Sequence, residues 1–133
     1  MLLSGCVGMA GMAGGYAKAY DGNDRSDAQL ATLYTAREGS MFAEVKGASA
    51  MLSQVDDRIV GDDLFKGYPK VTKVLPGRHR LVSKCFALGS QVAFPAWTAT
   101  LEAGHYYQLT CEDMGNGYAS ASHIDRGMEN PIK

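Results

Sequence analysis

No stretch of this chain approaches the roughly 20 consecutive apolar residues that a membrane-crossing helix needs, so a transmembrane helix is excluded. A surplus of charge is also missing. Thirteen basic residues stand against fourteen acidic ones, for a net charge of -1. There is no basic stripe with interleaved aromatics, and nucleic acid is not an expected partner. There is no polybasic cluster of the kind that draws a protein to an anionic bilayer. Catalytic signatures are absent as well. No Gly-x-Ser-x-Gly frames Ser83, Ser120 or Ser122, and neither a P-loop nor a dinucleotide fingerprint occurs. The three histidines, His79, His105 and His123, and the three cysteines show none of the i, i+2 or Cys-x-x-Cys spacings that mark zinc. Asp56 to Asp63 places four carboxylates in eight residues without the EF-hand spacing. They read as solvated loop charges. These absences leave no expected catalytic residue, metal ligand or cofactor, and the chain reads as a non-enzyme.

What is present begins with Leu3-Ser4-Gly5-Cys6. An aliphatic residue and a small pair before a cysteine resemble the lipobox of bacterial lipoproteins. In that family the cysteine becomes the first mature residue and carries the lipid, which makes Cys6 the expected lipidation site. A secretory signal needs a basic start and an apolar run of roughly 7–15 residues, and only Met1 to Gly5 precede Cys6. Either the start lies upstream, with Met1 inside the apolar run, or the match is fortuitous. Val7 to Gly15 is uncharged, with four glycines among small apolar residues, and reads as a flexible tether. The expected organisation is a partial signal peptide and lipobox at 1–5, a tether at 6–15, one folded domain at 16–125 and a flexible tail at 126–133. At 133 residues a single core is sufficient, burying about 65–70% of the unfolded surface.

Within the domain, Asp21-Gly22 is a turn pair. Ser26-Asp27-Ala28-Gln29 has the form of a capping box, which predicts one short helix over Asp27 to Thr35. Beyond it the pattern is that of strands. Candidates are Met41 to Val45, Ala50 to Val55, Ile59-Val60, Lys70 to Leu75, His79 to Leu88, Gln91 to Leu101, His105 to Cys111 and Tyr118 to Ile124. Pro76-Gly77 and Ala103-Gly104 are turns between them. Pro95 forces an edge or a bulge, and Glu112 to Gly117 reads as loop. Six or seven short strands at this spacing predict a mainly β chain, an antiparallel β-sandwich with one N-terminal helix.

Setting Cys6 aside leaves an even pair, Cys85 and Cys111. In an oxidising compartment the pair predicts a disulfide; the alternative is two separate buried thiols. Parity permits the bond. Leu81, Ser83 and Cys85 share one strand face, and His105, Tyr107, Leu109 and Cys111 share another. His79 and His105 each follow a glycine turn and are expected to pin it by bonding loop carbonyls. Trp97, beside Pro95, is either a core plug or a rim aromatic on an edge strand. With Tyr106 and Tyr118 it forms the candidate interaction surface.

From Val55 to Leu109 the chain resembles a group of small Gram-negative lipoproteins, mostly without an assigned activity. The matching motifs are Val55-Asp56, Leu75-Pro76-Gly77-Arg78-His79 and Ala103-Gly104-His105-Tyr106-Tyr107. Tyr20-Asp21-Gly22 and Gln29 to Leu33 fit the same group. The Leu-Pro-Gly-x-His strand opening is also similar to PEGA-type, transthyretin-like β-sandwich modules. Asp57 stands where the group has glycine, so a left-handed turn residue is expected there, and aspartate tolerates that conformation better than most. The resemblance implies a lipid-anchored β-sandwich. Val7, not aspartate, follows the cysteine, which by Gram-negative sorting implies the outer membrane, facing the periplasm. The expected function is a non-enzymatic binding or assembly module with another envelope protein as partner. The alternative is a periplasmic sensor or binder of a small ligand or metal ion.

Overall fold

The computed structural model describes residues 15–35, 50–64, 67–87, 91–115 and 118–132. Cys6, the lipobox, the tether up to Gly14 and the strand expected at Met41 to Val45 lie outside the described residues. The chain is mainly β. In order, the strands are β1 Tyr16–Lys18, β2 Ala31–Thr35, β3 Met51–Val55, β4 Arg58–Ile59, β5 Val71–Val74, β6 Gly77–Ala87, β7 Gln91–Ala93, β8 Ala96–Leu101, β9 Tyr106–Gly115 and β10 Tyr118–Asp125. They form two sheets. The first runs β1-β5-β2-β9-β10; the second runs β4-β3-β6, with β7 and β8 both on the far side of β6.

The two glycine turns carry the chain from one sheet to the other. Leu75-Pro76 leads from β5 in the first sheet to β6 in the second, and Gly77 takes φ 125°, a conformation open to glycine and costly for other residues. Gly104, at φ 83°, returns the chain from β8 to β9. Its N–H donates to the Leu30 carbonyl at 2.8 Å, and a Cβ there would meet the Met128 side chain at 3.1 Å. Pro95 acts as its chemistry requires. It interrupts one long strand opposite β6, so Cys85 to Ala87 pair with β7 and Gly77 to Val82 pair with β8. A proline has no N–H for the ladder, and its carbonyl accepts the Ser83 N–H at 3.1 Å.

Both sheets contribute to one core cluster. Leu33, Val74 and Leu109 come from the first; Leu52, Val55, Leu81, Ala99 and Leu101 come from the second. Each fully buried leucine contributes about 1.5–3 kcal/mol relative to exposure. Cys85 of β6 is bonded to Cys111 of β9, with Cα atoms 5.9 Å apart, so the disulfide ties the two sheets together. The parity argument holds: Leu81, Ser83, Cys85, Tyr107, Leu109 and Cys111 are all buried.

The helix expected over Asp27 to Thr35 is not there. A single 3-10 turn, Asp27–Gln29, is followed at once by β2. The box residues do meet, since Gln29 Oε1 accepts the Ser26 N–H at 3.3 Å, but Leu30 leaves in extended conformation. The reason is tertiary. Ala31 to Thr35 lie between two strands, antiparallel to β5 and parallel to β9. One helical turn nucleated at Ser26 cannot compete with a full ladder on both sides. The strand is also covered on both faces. Leu33 enters the core, and Thr32 on the opposite face receives the Lys73 ammonium at 2.7 Å. That ammonium reaches Asp27 at 2.8 Å and lies 5.5 Å from the centre of the Tyr106 ring.

Three smaller expectations also change. β9 runs to Gly115, which absorbs most of the loop expected from Glu112 to Gly117. The left-handed residue of the β3–β4 turn is Asp56, at φ 55°, and not Asp57. The start of the tail is held: the Arg126 N–H donates to the Tyr106 carbonyl and the Tyr106 N–H to the Gly127 carbonyl.

Candidate functional site

Two places gather polar side chains on this framework. The first is a cleft of about 560 Å³ beside the β3–β4 turn, lined by Tyr20, Asp21, Asp56, Arg58, Leu75 and His79 among others. Asp56 organises it. Its two carboxylate oxygens accept the Arg80 N–H at 3.0 Å and His79 Nδ1–H at 2.7 Å. Its own N–H donates to the Arg80 carbonyl at 2.7 Å. Burial works against its charge, but the Arg80 and His79 hydrogen bonds outweigh it and hold Asp56 below the usual carboxylate range. His79 Nε2 lies 2.7 Å from the Leu75 carbonyl oxygen, the turn-pinning contact expected of it. Across the cleft Arg58 pairs with Asp21 at 2.8 Å. Two further loop carboxylates are engaged, Asp63 by Lys84 at 2.6 Å and Asp62 by the Leu64 N–H at 3.1 Å. Among the described residues, no three His, Cys, Asp or Glu side chains gather as metal ligands would.

The second place is the side where β8 and β10 lie. Among the described residues, β10 pairs only with β9, which leaves its other edge open. Its side chains alternate. Tyr118, Ser120, Ser122 and Ile124 are exposed, while Ala119, Ala121 and His123 turn inward. No lysine or proline guards the strand, as exposed edges commonly require. Inward, Trp97 of β8 donates its indole N–H to His123 Nδ1 at 3.0 Å. The two rings stack at 6.4 Å, and Tyr107 meets His123 edge-on at 5.6 Å. Burial pushes His123 below the ordinary histidine range, against the pull of Asp125.

The candidate interaction residues separate. Tyr118 is 71% exposed and belongs to the open edge. Trp97 is half-buried and packs against the core from β8 at the side of the second sheet. Tyr106 is only 7% exposed and drops out of the surface. It neighbours Thr32 in the sheet, and the Lys73 ammonium lies over its ring. Sequence reasoning missed the pairing of His123 with Trp97 and of His105 with Asp125. Hydrophobicity favours Ile124, and with it Tyr118, against the core, which would turn His123 outward; the structure has the opposite parity, with Tyr118 and Ile124 exposed and His123 turned inward.

His105 Nδ1–H reaches both Asp125 oxygens at 3.0 Å, and its Nε2 lies 3.4 Å from Glu102. It pins its turn through carboxylates where carbonyls were expected. The hydrogen bond to Asp125 holds the imidazolium above the ordinary histidine value. The same bond, with one from the Gly127 N–H, holds Asp125 below the usual carboxylate range. The pair's stabilisation is therefore fully present below about pH 6.5, the unfolded value of histidine. It fades as pH rises through the raised folded value. On the acid side it fades as pH falls through the depressed Asp125 value. Thermal melts of the wild type and His105→Gln from pH 4 to 9 check this: the curves are expected to converge at the alkaline end. A gap that widens above pH 7 contradicts it.

No protein-family model, curated protein or solved structure matches the chain.

Proposed function

We propose that this chain is a lipid-anchored β-sandwich of the bacterial outer membrane, held through Cys6 and facing the periplasm. It acts as a non-enzymatic binding or assembly module, and an extended segment of another envelope protein adds to β10 as a further strand. Two sheets sharing one core and clasped by Cys85–Cys111 support the single sandwich. The observation that carries the binding reading is β10 itself. It offers eight residues of edge with Tyr118 and Ile124 exposed and no gatekeeping charge before Asp125. A backbone ladder supplies affinity along such an edge, and the alternating side chains supply selectivity.

The test is capture from detergent-solubilised membranes, comparing the wild type with Ser120→Lys/Ser122→Lys. Both serines are exposed, so the fold is expected to persist while edge pairing is opposed. Partner recovery is expected to fall at least tenfold in the variant. Equal recovery from both proteins, or none from the wild type, defeats the proposal. In the same preparation Cys6→Ala is expected to leave the membrane fraction. A second reading, a binder of a small ligand, is favoured by the Asp56–His79 cleft. Arg58→Ala disturbs that cleft and leaves β10 capture intact, so one preparation separates the two.

A further inference from the structure

We propose that the Trp97–His123 contact is a proton-sensitive latch between the two sheets, closed while His123 is neutral and opened when its Nδ1 takes a proton. The chemistry of the two groups leaves one arrangement. An indole N–H donates and cannot accept. At 3.0 Å from it, Nδ1 must present its lone pair, which places the single imidazole proton on Nε2. A proton on Nδ1 would set two donors against each other inside a half-buried seam. The contact then becomes repulsive, a change beyond the mere loss of a hydrogen bond.

The position of the contact makes it a latch. Trp97 stands on β8, which pairs with β6 in the second sheet, and His123 stands on β10, which pairs with β9 in the first. Their bond spans the two sheets on the side where, among the described residues, β10 has no neighbouring strand. Neighbouring groups do not supply a competing partner. β8 carries no ionisable side chain. β6 turns Leu81, Ser83 and Cys85 into the core, and the Ser83 hydroxyl has no hydrogen-bond partner. β9 contributes the Tyr107 ring, whose hydroxyl already accepts the Glu102 N–H at 2.8 Å. Asp125, two residues along β10, attracts a proton toward His123, but both its oxygens are held by His105. Burial therefore prevails, and the latch stays closed at neutral pH and opens in mild acid. The sign is opposite to that of His105, which is strengthened by the same protons. Acid thus loosens the inner face of β10 while tightening its Asp125 end. The consequence for partner docking rests on the β10 reading above; the latch does not.

Trp97 is the only tryptophan in the chain, so its emission reports on this contact alone. The full chain is titrated from pH 8 to 4.5, with circular dichroism confirming that the fold is kept. A single sigmoidal loss of emission is expected, because an adjacent imidazolium quenches indole. Its midpoint should lie below about 6.5, the ordinary histidine value. The transition should vanish in His123→Gln and persist in His105→Gln. A flat titration, or the same transition in His123→Gln, overturns the proposal. If His123→Gln does not fold, proton NMR of the wild type decides: the Trp97 indole N–H resonance must move with the His123 ring midpoint, and an indole signal indifferent to that midpoint overturns the latch. Capture by β10 that fails while the titration succeeds counts against the docking reading alone.

Discussion

Replacing both Cys85 and Cys111 with alanine is expected to lower the unfolding free energy by about 3–4 kcal/mol. The bond joins residues 26 apart in sequence. Closing a loop of that length in the unfolded chain removes chain entropy worth about 3.5 kcal/mol at room temperature. The position of the bond adds a second reason. Cys85 is on β6 and Cys111 on β9, so the crosslink opposes the separation of the two sheets, which is the motion that exposes the shared core. A chain of this size loses on the order of 10–15 °C in melting temperature for that change. Denaturant melts of the wild type with and without reductant, beside the double variant, measure it. Reduction and double substitution should agree to within about 1 kcal/mol, with the small cavities left by the lost sulfurs making up the difference. A loss under about 1 kcal/mol would show that the native state gains little from the closed loop.

Leu81→Ala is expected to cost about 3–5 kcal/mol, the range for a large-to-small change at a site that cannot collapse. Leu81 has no measurable exposure. It lies in the middle of β6, opposite Val55 of β3 on one side and Trp97 of β8 on the other. Neighbouring strands on both sides fix its backbone, so the vacated space cannot be filled by a local shift. Leu64→Ala supplies the contrast. That side chain is 83% exposed, and its removal should change stability by no more than about 0.5 kcal/mol. The two variants differ only in where the same methyl groups were placed. Equal effects would mean that the core does not lie between these sheets.

The strands from β3 onward were legible because their signals are local. Alternation at Gln91 to Leu101 and His105 to Cys111, and the Pro76-Gly77 and Ala103-Gly104 turns, depend on neighbours one to three residues away. The break at Pro95 was legible for the same reason, because a missing N–H is a property of the residue itself. Cys85 and Cys111 were legible through parity and even count. β2 was not. Ser26 to Gln29 carries a true capping arrangement, and local propensity favours the helix it would start. What opposes that helix lies 41 and 74 residues away, in the Thr32 register with Lys73 of β5 and Tyr106 of β9. The same placement buries Tyr106 and removes it from the surface.

By itself, then, the sequence determined a mainly β chain, the position of most strand edges and turns, and the pair of cysteines able to bond. Each of these follows from short-range rules: side-chain period, backbone conformations open to glycine and closed to proline, and residue spacing. The tertiary structure decided which strands pair, that β10 presents an open edge among the described residues, that Asp56 and His79 face one cleft, and that Trp97 meets His123. Those outcomes depend on contacts between segments far apart in sequence, whose free energies local patterns do not encode. The pairing of His123 with Trp97 is of that kind. Neither residue has an unusual sequence context, and each acquires a proton-dependent role only from the 3.0 Å contact that the two sheets impose.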